Sequence, residues 1–110
     1  MITLALLVLR LPLFIAMVVG TLKITLAIPG SDSLKDKRQV VRSLLDIARN
    51  KFNVSAAEID HLDTHRLACV AFACVSNNKI VVNRMLNKIL DVIESNPLCE
   101  VVDSELDIIS

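Results

Sequence analysis

The chain contains no tryptophan and no tyrosine, and only three phenylalanines. Sheets that read single-stranded RNA stack bases on aromatic side chains, and this chain has little to stack with. It also lacks net charge, with 12 Lys and Arg against 12 Asp and Glu. The molecule as a whole is therefore no polyanion binder, and any charged surface must come from the distribution of its charges. Cysteines are few: Cys69, Cys74 and Cys99 cannot all pair within the chain, and none lies in a C-x-x-C spacing. That pattern indicates a reducing compartment with thiols used as small apolar residues. No Ser/His/Asp or Cys/His set stands out, and no phosphate-cradling P-loop is present. The expectation is no enzyme, with no catalytic residue, no metal and no cofactor assigned.

What is there is apolar and unevenly charged. At 110 residues and 54% hydrophobic, the chain suits one small domain with a real core. Between Lys23 and Lys51 lie seven bases and three acids, whereas from Asp91 onward there are six acids and no base.

The opening segment MITLALLVLRLPLFIA, residues 1–16, is almost wholly apolar, broken by Arg10 and Pro12. A signal peptide would carry a basic start and a small-residue cleavage site, and neither is clear. As a span, a central arginine costs about 2.5–3.5 kcal/mol while each Leu, Ile, Val or Phe returns about 0.3–0.6, so hydropathy alone does not decide. The strand pattern that follows without a linker argues against a span. The expectation is a misassigned start, with Met17 as initiator, or a disordered tail, ahead of a single domain over 17–110. Membrane attachment would require residues 1–16 to be translated and inserted, and a cytoplasmic location is expected.

TLKITLAI alternates, with Leu22, Ile24, Leu26 and Ile28 on one face and Thr21, Lys23, Thr25 and Ala27 on the other. Period two with one polar face is a half-buried strand, and Pro29-Gly30-Ser31 punctuates it. Ser33 then serves as an N-cap with Asp36 three residues on. Leu34, Val41, Leu44, Leu45, Ala48 and Phe52 recur at helical steps. VSAAEIDH predicts a short strand with Ala57 and Ile59 on one face and Glu58 and Asp60 on the other. RLACVAFACVSN is apolar on both faces, as a central strand is. NKIVVNRMLNKILDVIE predicts a second helix, with Ile80, Val82, Met85, Leu86, Ile89 and Ile93 inward, stopped by Asn96-Pro97. LCEVVDSELDII alternates again, setting Val102, Leu106 and Ile108 against Asp103, Glu105 and Asp107. The order βαββαβ predicts an α+β, ferredoxin-like split βαβ fold, with two helices on one face of a four-stranded antiparallel sheet and the first and third strands central.

The stretch from Val18 to His61, with ACVSN and the closing IESNP and CEVVDSEL, resembles the YlxP-like bacterial family, a domain of unknown function. The resemblance runs from about Met17 to Asp107, and the pattern G-S-x-S-L-K-x-K-R, Gly30 to Arg38, is its most specific part. It implies the ferredoxin-like fold. It also implies a setting among translation and ribosome-maturation genes, which points to ribosomal RNA or the small ribosomal subunit as partner, and it brings no catalytic residues. Many relatives carry a Trp near the HLDTHRLA hairpin that this chain lacks, so no role for that Trp is carried over.

The candidate contact surface is the basic helix. At 100° per residue, Lys35, Arg38, Arg42 and Arg49 fall within roughly 60° of one another, beside the core stripe. Lys37 falls nearer the apolar side, where a lysine snorkels. The Gly30, Ser31 and Ser33 loop and the N–H groups of the helix start add anion-binding capacity. Arg42 and Asp46 form an i,i+4 pair. The competing reading is a solvated helix face with local ion pairs. The polar turn Asp60 to His65 offers four possible ligands in six residues but no recognised metal spacing. A small acylphosphatase shares this topology, yet its loop arginine is missing from PGSDS. Phe72 is the one aromatic expected on the sheet, among acids that repel phosphate, so RNA is expected to bind by helix and loop. The third strand leaves either Val70, Phe72 and Cys74 or Cys69, Ala71 and Ala73 facing outward, which suggests a homodimer through the open sheet face. Two alternatives from other classes remain: a dimeric regulatory domain with a small molecule at its interface, and a protein-docking module that sets the basic helix on an acidic partner.

Overall fold

Alternation in the first strand is realised residue by residue: Leu22, Ile24, Leu26 and Ile28 are wholly buried, while Thr21 and Lys23 face solvent. The computed structural model describes residues 17–109; the expectations for residues 1–16 lie outside them. The elements run β1 (Val18–Ala27), α1 (Leu34–Lys51), β2 (Ser55–Asp60), β3 (Leu67–Ser76), α2 (Lys79–Glu94) and β4 (Glu100–Ile109). One four-stranded sheet has the order β2-β3-β1-β4, and every pairing is antiparallel. Helix α1 packs over β2 and β3, and α2 over β1 and β4. Both helices feed one hydrophobic core. This is the ferredoxin-like fold.

Local chemistry sets the helix starts. Ser33 Oγ accepts the Asp36 N–H at 3.1 Å, while the Asp36 carboxylate reaches past Ser33 to accept the Asp32 N–H at 3.2 Å. Asn78 Oδ1 accepts from the N–H groups of Ile80 and Val81 and caps α2 in the same way. Close seating of α2 depends on Gly20 in β1. A Cβ there would stand 2.8 Å from Leu86 Cδ1 and closer still to Val82 Cγ1, so only glycine lets the helix approach this near.

The sheet departs from simple alternation at two places. The β1–β4 register shifts between Thr25, opposite Asp103, and Leu26, opposite Val101. Val102 is the extra residue and is 62% exposed, so Val101 takes the inward place expected of Val102. The β2–β3 register shifts between Glu58, opposite Val70, and Asp60, opposite Cys69. Ile59 is extruded there, and Glu58 turns toward the helices rather than the open face. Phe72 is also buried on the helix side, so it is not available for stacking; Ala71 and Ala73 are half-buried on the opposite face of β3, and Cys69 beside them is buried. In α2, Ile80 is 68% exposed instead of inward, because the buried stripe runs through Val82, Leu86, Ile89 and Ile93 and two residues' rotation sets Ile80 well away from Val82.

Candidate polyanion-binding groove

Seating α1 by its apolar stripe fixes where its cations go. Val41, Leu44, Leu45 and Ala48 are buried against the sheet, and Lys37 is buried with them. Arg38, Arg42 and Arg49, one step round the helix, line a groove of about 350 Å³ between α1 and the edge strand β2. Val41 and Leu45 contribute apolar wall, and Glu58 of β2 completes the lining. Three guanidiniums over an apolar floor suit phosphate, since each offers several donors in a planar fork.

The three arginines are not equivalent. Arg49 Nη1 pairs with Asp46 Oδ1 at 3.4 Å, and its Nη2 donates to the Ala56 carbonyl of β2. The expected Arg42–Asp46 pair is replaced by this Arg49–Asp46 contact. Among the described residues Arg38 and Arg42 have neither a hydrogen bond nor an ion-pair partner. Lys35 is exposed on the same flank but does not line the groove.

Lys37 is withdrawn from the surface. Its side chain is 0% exposed, and Nζ meets Glu58 Oε2 at 2.8 Å. The same ammonium donates to the carbonyls of His61 at 2.7 Å and of Leu62 and Leu67 at 3.4 Å. A lysine at a stripe position needs that set of acceptors to remain buried and charged. The loop is likewise committed inward. Ser31 is 2% exposed; its Oγ donates to the Ser33 carbonyl and its own carbonyl accepts from Arg66 Nε at 3.1 Å. Ser33 Oγ is spent on the cap. Gly30 is exposed with open space around it, while Asp32 and Asp36 stand at the helix start. The hydroxyls of Ser31 and Ser33 are thus engaged within the loop and cap, and the groove lies further along α1.

Period two groups Glu58 with Asp60, but the structure turns Glu58 toward the helices, where it meets Lys37, 21 residues away along the chain, and no local signal marks this. Further cations lie on α2, where Arg84 and Lys88 join Phe52, Val81 and Met85 around a smaller apolar depression of about 170 Å³ between the helices. In the Asp60–His65 turn, Asp60 Oδ1 accepts the His61 N–H, and His61 adopts φ 59°. Among the described residues no three His, Cys, Asp or Glu side chains cluster as metal ligands, and no helix is long and apolar enough to cross a membrane.

A ferredoxin-like domain with an arginine groove beside its edge strand is the class that fold and geometry define. The family model described as "Protein of unknown function (DUF503)" matches residues 19–106, and the chain belongs to that family. It is 38% identical over 68 residues to the "Uncharacterized protein YlxP" of Bacillus subtilis (strain 168), covering 62% of this chain and 74% of that protein. Among solved structures, the de novo designed protein Foldit4 matches with a TM-score of 0.50 at 14% identity, over 86% of this chain and 97% of the other. That likeness concerns the fold alone.

Proposed function

We propose that this protein is a non-enzymatic accessory binder of RNA backbone, with ribosomal RNA of the small subunit as the partner to test. The reading rests on one observation: Arg38, Arg42 and Arg49 share a groove, and two of the three lack partners among the described residues. Contact runs through guanidinium and phosphate, so sequence preference is weak and salt dependence steep. Three phosphate contacts on single-stranded RNA lower affinity roughly twentyfold between 50 and 200 mM salt. The test is co-sedimentation of the chain with small ribosomal subunits at low and moderate salt, beside the double variant R38E/R42E. Salt-sensitive binding that the variant loses supports the reading. Binding absent at both salts in a folded protein sinks it.

A second reading concerns the open sheet face. Val19, Val75 and Ile109 form one cross-strand row, with Val75 67% and Ile109 66% exposed. A second copy covering this row gives a dimer, and sedimentation showing only monomer at high concentration removes that reading.

A further inference from the structure

A carboxylate is out of place in a groove built for phosphate, and that is what Glu58 presents. It lines the same groove as Arg38, Arg42 and Arg49. Its Oε2 is held at 2.8 Å by Lys37 Nζ, which fixes the side chain and offsets its charge. Its Oε1 accepts no hydrogen bond among the described residues, and no buried side-chain oxygen there lacks a partner. Oε1 is therefore not sealed from solvent, on a side chain that lines the groove and is held by the buried lysine. An anchored acceptor beside guanidinium donors fits a ligand that carries a hydroxyl next to a phosphate. A bare phosphate chain gains nothing from it and meets a negative charge.

Building on the RNA-backbone reading, we infer that Glu58 is a specificity-determining residue that accepts a hydrogen bond from a ribose 2′-hydroxyl and so selects RNA over DNA. The 2′-hydroxyl is the group by which a protein tells the two apart. Lys37 is a positioning residue in this scheme, because it acts through Glu58 and touches no ligand itself.

The test measures binding of three fluorescein-labelled single strands of one sequence to the full chain: RNA, DNA and 2′-O-methyl RNA. The methylated strand keeps the phosphates and the oxygen but has no proton to donate. RNA is expected to bind about tenfold more tightly than DNA, the worth of one charge-assisted hydrogen bond, with 2′-O-methyl RNA grouped with DNA. The double variant K37M/E58L removes the pair without changing net charge, and its RNA and DNA affinities should converge while the salt dependence stays. Equal binding of all three strands by the wild-type chain overturns the inference and leaves the RNA-backbone reading standing. So does a preference that persists in a K37M/E58L protein that still melts cooperatively. Failure of every strand to bind at low salt overturns both. The wild-type comparison needs no variant, so a misfolded double variant does not remove the test.

Discussion

Lys37 occupies the place where an aliphatic residue would sit, at the heart of the α1 stripe. Its ammonium ties three separate segments together: the helix, the inward side of β2 and the hairpin carbonyls of His61, Leu62 and Leu67. Replacing it with methionine leaves the Glu58 carboxylate, 14% exposed, without its counter-charge. K37M is expected to cost about 3–5 kcal/mol in urea unfolding, as breaking a buried pair does. E58L added to K37M should restore part of that, giving a clearly non-additive cycle. The thiols supply a second residue-scale prediction. Cys74 and Cys99 are free and buried, and burial pushes both thiols above their ordinary range, partly offset at Cys74 by its backbone hydrogen bond with Gly20. The folded state therefore holds these protons to higher pH than the unfolded chain does. Their contribution to stability is complete below the unfolded thiol range, near 8.5, and is lost as pH rises through the raised values. Urea midpoints measured from pH 7 to 10.5 should fall through that window, and a C74A/C99A variant should flatten the decline.

Among the elements, β1 and α2 share the tightest contact. Gly20→Ala pushes a methyl into Val82 and Leu86 and is expected to cost about 1–3 kcal/mol, the usual penalty of overpacking, read as a drop in urea midpoint at unchanged m-value. This contact was not legible in the sequence, where Gly20 is one small residue in an apolar run. The element order was legible, because β1, α1 and α2 each carry a strong period, β3 is apolar on both faces, and a cap or turn marks the boundaries. What failed was face assignment in the edge strands. Period two sets the apolar Ala57 and Ile59 on one face and Glu58 and Asp60 on the other, which suggests the apolar pair for the inward side. Instead Ala56 and Glu58 face the helices, since Lys37 waits there and Ile59 is extruded by the register shift. Val102 was misplaced for the same reason: one extra residue reverses every later assignment back along the strand. The candidate site was half legible. Helical spacing brought Arg38, Arg42 and Arg49 to one flank, and the same geometry pointed Lys37 toward the apolar side. That its whole charge is consumed there depends on groups 21 to 30 residues away.

Across the whole molecule, zero net charge conceals a division of labour. Bases populate the helix layer, including Lys35, Arg38, Arg42, Arg84 and Lys88, while Asp103, Glu105 and Asp107 run along β4. With a sequence pI near 6.7, a uniform distribution would pass through a heparin column at pH 7.5. Polarity predicts retention at low salt, release at moderate salt, and loss of retention in R38E/R42E. The outermost strands carry a different consequence. Each of them, β2 and β4, is broken by a register shift; β4 adds a row of acids, and an Ala56 carbonyl of β2 is occupied by Arg49. A kinked, charged border is a poor template for another chain's backbone. The sheet is thus finished at four strands, and its borders resist sideways growth.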